Sequence, residues 1–376
     1  MRVGVAAEVR PGERRVALVP EAVRRLTAVG LDVVVETTAG QRAYASDAAY
    51  AAAGATVVDA GQALASDVVL TVRPLQPAQI ARHVRGGAVT IGFLPPASSL
   101  DCVVALRDRG VTSFSLDLLP RISRAQSMDA LSSQALVSGY RAALVAAERL
   151  PRFFPLLMTA AGTVRPATVL VMGAGVAGLQ AIATARRLGA VVEAYDVRAA
   201  AAEEVRSLGA TFVELSLETQ EGSGGYAREA GEDFLRRQRE LIGAHVAAAD
   251  AVITTAAIPG RRAPVLVTRE MVEAMKPGAI VVDLAAESGG NCELSEAGRE
   301  LWHGEVRIWG AQDVPSAMAD HASRLYARNV SELLLLMTAA GVVTPDFDDE
   351  VVAASCVTHA GEIRHEPTRD LLRASA

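Results

Sequence analysis

At 376 residues and 39.2 kDa the chain is long enough for two domains and short for three, and its 51% hydrophobic and 21% charged composition excludes a disordered polypeptide. The net charge of -6, from 37 basic and 43 acidic residues, offers no basic field for nucleic acid. Lys276 is the only lysine, which leaves none for a P-loop, and Cys102, Cys292 and Cys356 are far apart with no C-x-x-C spacing, so neither a disulfide framework nor a zinc site is indicated and a reducing cytoplasm fits.

In chain order, MRVGVAAEVRPGERR becomes charged before any apolar stretch of signal length, and no leader is expected. Strands are expected at Val3 to Ala6, Asp32 to Val35, Thr56 to Val58, Val68 to Val72, Ala88 to Gly92 and Thr112 to Ser115. Helices such as Glu21 to Val29 and Ala78 to Val84 lie between them, with Pro20 and Pro77 suited to their first turns. Ser127 to Leu150 reads as a long helix bridging two domains. The uncharged run Pro166 to Ala185 approaches membrane-span length, but β-branched residues open it and three glycines break it, so it reads as strand, turn and helix. A second strand series begins at Thr168 and continues through Val191 to Tyr195, Thr211 to Val213, Ala251 to Thr255, Ala279 to Asp283 and Val306 to Trp309. A late helix, Ala319 to Ala340, returns the chain to the first domain; an acidic DFDDE and a short hairpin around Thr358 to Gly361 follow, and no internal sequence repeat is expected. The pattern predicts an α/β protein of two doubly wound Rossmann-like domains with a cleft between them, the C-terminal segment returning to the first: residues 1–136 plus 326–376, and residues 137–325 for nucleotide.

The strongest motif is VLVMGAGVAGLQA, a G-x-G-x-x-G of Gly173, Gly175 and Gly178. Gly173 permits the tight turn, Gly175 lets backbone approach a pyrophosphate, Gly178 allows close helix packing, and N–H groups at the helix start bind the anion. Asp196 ends the following strand and suits the ribose hydroxyls, favouring NAD(H) over NADP(H), although Arg198 two positions on is able to receive a 2′-phosphate.

PRISRAQSMDALSSQ places Arg121, Gln126, Asp129 and Ser132 in one short segment able to orient a carboxamide or a second ring; a helix cap with a surface ion pair fits the same residues. The stretch Leu217 to Gly231, with Tyr226 after Gly224 and Gly225, fits a mobile loop closing on nucleotide or a surface insertion. The six histidines, His83, His245, His303, His321, His359 and His365, read as surface or packing residues. Oxidising an alcohol or amine needs a base as hydride leaves, whereas exchange between two nicotinamides needs none.

Together, ERRVALVPE, RISRAQSMDALSSQ, VMGAGVAGLQA with Asp196, TTAAIPGRRAP and VVDLAAESGGNCE resemble the NAD(H)-binding domain I of proton-translocating NAD(P) transhydrogenase over nearly the whole chain. The resemblance implies Arg121, Gln126, Asp129, Ser132 and Tyr226 on the nicotinamide side. It implies Gly173, Gly175, Val176, Gly178, Asp196, Val197 and Arg198, with Gly225, Gln238 and Ala257, as further nucleotide contacts. It also implies a homodimer, and partner subunits that bind NADP(H) and span the membrane, with this chain cytoplasmic and peripheral, not inserted. Hydride would pass directly from NADH to NADP+, coupled to proton movement through those partners.

Alanine dehydrogenase is similar in architecture, but its members carry a catalytic histidine in a motif like LHLA, where this chain has GFLPPAS with Pro95 and Pro96. An acid remains at Glu287 without that partner. A non-catalytic NAD(H)-sensing subunit is a second alternative that fits the same fingerprint.

Overall fold

The structure is a computed structural model describing residues 1–214, 240, 242–257 and 261–375. Two compact units divide it, Met1–Gln134 with Pro315–Ala376, and Ala135–Val314. The strands along the chain are β1 (Arg2–Val5), β2 (Asp32–Glu36), β3 (Thr56–Val58), β4 (Val68–Leu70), β5 (Val89–Gly92) and β6 (Thr112–Ser115). There follow β7 (Leu157–Thr159), β8 (Gly162–Val164), β9 (Thr168–Met172), β10 (Val191–Tyr195), β11 (Thr211–Phe212), β12 (Ala251–Thr254), β13 (Ile280–Asp283), β14 (Glu300–His303) and β15 (Val306–Gly310). Then come β16 (Thr338–Ala339), β17 (Val342–Val343), β18 (Cys356–His359) and β19 (Glu362–Ile363).

In the first unit the sheet order is β19-β18-β6-β5-β4-β1-β2-β3, with β1 to β6 parallel and β18 antiparallel to β6. The chain starts at the centre, winds outward through β2 and β3, then reverses through β4, β5 and β6, the doubly wound path. Central β4 and β5 are buried at every residue, as a sheet covered on both faces requires. Val33 and Val35 pack on one face with Leu18, Tyr326 and Leu333; Val69 packs on the other with Leu64, Ile80 and Leu106. The helix Pro20–Thr27 has proline in its first turn and buries Ala22, Val23 and Leu26, the spacing of one helical stripe.

The polar centre of this unit is Glu13, fully buried. Its carboxylate accepts from Arg15 Nε at 2.8 Å and Nη2 at 2.6 Å, from Arg73 Nε at 2.8 Å and from the Ser316 hydroxyl at 2.6 Å. Burial alone would raise the acid's pKa; the hydrogen bonds and charge of Arg15 outweigh it and hold Glu13 well below the usual carboxylate range. Arg15 Nη1 also donates to Gln134 Oε1 at 2.9 Å.

In the second unit the order is β11-β10-β9-β12-β13-β15-β14, parallel except for β14. Side chains along β9 alternate between faces: Val169 and Val171 join the cluster containing Ala142, Ala146 and Ile182, while Leu170 and Met172 join that of Val246, Val252 and Val281. Lys276 Nζ and Arg152 Nη1 both donate to Asp250, at 3.0 and 2.8 Å, so the sole lysine serves as a structural partner.

Several elements differ from expectation. The uncharged run forms β9 and the helix Val176–Arg187 as read, but β14 was not foreseen, because ELWH alternates exposure at a sheet edge and buries little. The long helix starts at Ala130, after a 3-10 turn Ser123–Met128, and the late helix ends at Leu336 because Ala340 and Gly341 take φ of 48° and 74° in a hairpin turn. That hairpin and β7–β8 share a sequence, LLMTAAG at 156–162 and 335–341, so an internal repeat is present. The units change over at 134/135 and 314/315 where the sequence suggested 136/137 and 325/326; the late helix buries Ala319 and Ala322 in the first unit from its opening turn. Among the described residues no helix is long and apolar enough to cross a membrane.

Glu13→Ala would strand Arg15 and Arg73 without their shared carboxylate. It is expected to lower the unfolding free energy by about 3–5 kcal/mol in urea titration.

Candidate functional site

The glycine turn follows the carboxyl end of β9, where the strand order reverses between β9 and β12. Gly173 has φ of 102°, and a Cβ there would lie 2.6 Å from Thr255 Oγ1. A Cβ on Gly178 would lie 1.8 Å from the Gly173 carbonyl, so this helix meets this strand only through glycine. Gly175 is different: a Cβ there would meet no protein atom within 4 Å. Among the described residues nothing fills the space beside Gly175, so backbone there is open to a bound group. Gly175 caps the helix Val176–Arg187 without a side-chain bond, and Val176 is exposed at the first helical position, which suits the first-turn N–H groups to an anion.

Asp196, at the end of β10, accepts the Ala174 N–H at 2.7 Å, which ties the carboxylate to the glycine turn. Arg198 closes on the same group through its backbone N–H at 2.8 Å, Nε at 3.0 Å and Nη2 at 3.0 Å. Both carboxylate oxygens are thus engaged at the glycine turn, and the cation two residues on is turned onto them. Val197 is half-buried beside them and Ala257 is exposed beyond β12. Two supports were missed from sequence. Thr255 Oγ1 donates to the Gly173 carbonyl at 3.0 Å. Asn291, fully buried, accepts from Ala256 N–H at 2.9 Å and donates to the Ala256 and Pro264 carbonyls at 2.8 Å each. An asparagine between two glycines and a cysteine, in SGGNCE, was the available signal. Gly225, Tyr226 and Gln238 lie outside the described residues.

In the first unit, Gln126 is exposed on the turn Ser123–Met128, and Arg121 is exposed just before it. Asp129 accepts from Ser132 N–H at 2.8 Å and its hydroxyl at 2.6 Å, capping the helix Ala130–Arg149. The helix cap is therefore real, and it fixes both Asp129 and Ser132. Arg124 forms two bonds to Asp349, at 2.7 and 3.0 Å, anchoring the segment from outside.

A cavity of about 490 Å³ opens near the ends of β1, β4 and β5, lined by Glu8, Arg10, Arg73, Gln76 and Ser99 among others. Burial pushes the Glu8 carboxyl up to about 7, against the lowering effect of the Val72 N–H that it accepts at 2.6 Å. Pro95 and Pro96 stand beyond β5, and Glu287 accepts the Asp313 N–H at 3.1 Å. His245 bonds Glu193, His303 bonds Glu273, and His359 bonds Thr112, all in local contacts.

The chain belongs to the alanine dehydrogenase/PNT family: the family's N-terminal domain matches residues 4–138 and its C-terminal domain residues 142–366. It is 48% identical to the first segment of the NAD(P) transhydrogenase subunit alpha of Rhodospirillum rubrum, over 97% of this chain and 98% of that one. The crystal structure of transhydrogenase from Sinorhizobium meliloti matches with a TM-score of 0.86 and 46% identity, covering 98% of this chain and 100% of that one. The alanine dehydrogenase of Mycobacterium tuberculosis is 35% identical over 78% of this chain and 75% of its own.

Two outcomes are expected. Asp196→Asn removes the charge that opposes a 2′-phosphate and loosens Arg198; in fluorescence titration it should bind NADH about tenfold more weakly and narrow the gap between NADH and NADPH. The Glu8 pKa lies above its unfolded value, so its contribution to stability is complete below about 4.5 and is lost as pH rises toward about 7. Glu8→Gln should flatten the urea midpoint across that window.

Proposed function

We propose that this chain is the NAD(H)-binding subunit of a proton-translocating NAD(P) transhydrogenase of the Si-specific/Re-specific type, active only with partner subunits. The observation that carries the reading is the open Gly175 turn with Asp196 bonded across it. NADH bound there supplies a hydride from its dihydronicotinamide to the nicotinamide of NADP+ on a partner, leaving NAD+ and NADPH with no proton to remove. Gly173, Gly175, Val176 and Gly178 cradle the pyrophosphate, and Asp196, Val197 and Arg198, with Gly225, Gln238 and Ala257, hold the adenosine side. Arg121, Gln126, Asp129, Ser132 and Tyr226 orient the nicotinamide. The chain asks orientation of these groups and no general base, in keeping with Pro95 and Pro96 where alanine dehydrogenases carry histidine.

On this reading the chain forms a homodimer and joins an NADP(H)-binding subunit and membrane-spanning subunits at the cytoplasmic face of the inner membrane. Proton movement is the work of those partners.

Mixing the chain with an NADP(H)-binding transhydrogenase component should produce hydride transfer between nicotinamide analogues that neither shows alone. Gln126→Ala or Tyr226→Phe should slow transfer by about tenfold or more while NADH binding changes little. Alanine-dependent NADH formation by the chain alone would sink the proposal; NADH binding without transfer would favour a sensing subunit.

A further inference from the structure

The segment bearing Gln126 and Asp129 runs between β6 and the helix Ala130–Arg149, largely as 3-10 turns with no sheet ladder to hold it, and Ser132 lies in the first turn of that helix. Its support comes from about two hundred residues further on, in the helix Ala319–Leu336. Asn329, 6% exposed, donates Nδ2 to the Ser127 carbonyl at 2.9 Å, and its Oδ1 accepts the Ser133 hydroxyl at 2.7 Å. One buried amide therefore spans the joint between turn and helix with both ends engaged. Its two contacts fall on the residue after Gln126 and the residue after Ser132.

The bonds continue inward. Gln134 Nε2 donates to Ser133 Oγ at 3.2 Å and to the Ala322 carbonyl at 3.1 Å, and Gln134 Oε1 accepts from Arg15, the partner of Glu13. The other anchor, Arg124 with Asp349, faces solvent, where water and salt weaken such a pair. The buried polar anchor is Asn329, beside the apolar contacts of Ala125 and Met128 with the core.

We propose that Asn329 is a positioning residue for hydride transfer, clamping the Gln126 to Ser132 segment in the arrangement that a nicotinamide ring requires. This rests on the reading of that segment as the nicotinamide side. Asn329 touches no nucleotide on this account; it acts through Ser127 and Ser133. Displacement of a positioning group by about 1 Å costs on the order of 100-fold in rate, so loss of one buried clamp is sufficient to be seen.

The test uses the full chain reconstituted with an NADP(H)-binding transhydrogenase component. Asn329→Ala removes both arms, and Asn329→Asp keeps the acceptor for Ser133 while removing the donor to Ser127. Both should lose about 10- to 100-fold in transfer rate at saturating NADH, with NADH affinity within about twofold of the unaltered chain. Tyr50→Phe, which deletes a buried bond to the Leu18 carbonyl elsewhere in the unit, is the control and should keep its rate. A merely structural asparagine would lower the melting temperature as Tyr50→Phe does and leave the turnover alone. Folded Asn329 variants that transfer hydride within about twofold of the unaltered chain overturn the proposal. If neither Asn329 variant folds, Ser133→Ala decides in the same way, because it removes one arm without altering the late helix. Gln126→Ala in the same assay separates the two readings: if it is silent the nicotinamide-side assignment falls, and if it is slow while Asn329 variants are normal only the clamp falls.

Discussion

The Glu13 carboxylate receives Arg15 through two parallel bonds, Arg73 through a third and the Ser316 hydroxyl through a fourth, and through Arg15 it reaches Gln134. These partners come from the opening loop, the end of β4, the stretch where the chain re-enters the first unit and the start of the long helix. A buried charge with that many donors costs a large desolvation energy that only complete pairing offsets. It ties these four stretches to one point, since each supplies a group to the same network. The Ser127 to Ser133 joint is tied to the same network through Gln134 and Ser133, so the candidate nicotinamide-side segment inherits the unit's internal order.

The two parallel sheets were legible because their strands are apolar runs with little ambiguity: VVV in β2, VVL in β4 and TVLVM in β9 have few ways of being buried other than as central strands. The glycine turn was legible for a related reason, since each glycine answers a separate steric demand at Gly173 and Gly178 and an open space at Gly175. What escaped was support at long range. Asn329 and Asn291 are ordinary polar residues in their own neighbourhoods, and their importance lies in carbonyls and hydroxyls that only the folded chain brings to them. The small hairpins escaped because LLMTAAG has the composition of a helix; only Ala340 in a left-handed conformation, or the exposed turn before Gly162, breaks it.

Asp196 and Arg198 pair opposite charges at the end of β10. On the proposed reading the carboxylate meets a plain ribose, and the guanidinium, folded back onto the carboxylate, is kept from a phosphorylated one. In each unit several polar side chains are spent on backbone groups and one another: Asp196 on Ala174 and Arg198 in the second, Asp129 on Ser132 and Asn329 on Ser127 and Ser133 in the first.

The second unit is one uninterrupted stretch, Ala135 to Val314, whereas the first is closed only by Pro315 onward, with β18 laid against β6 and Asn329 against Ser127. On a ribosome the second unit therefore has all of its own sequence before the first has its last helix. Residues 121–133 are made early and must wait through nearly two hundred further residues for the amide that fixes them. Vectorial synthesis thus delivers the sequence of the second unit complete before the chain supplies the late helix that holds residues 127 and 133 in the first.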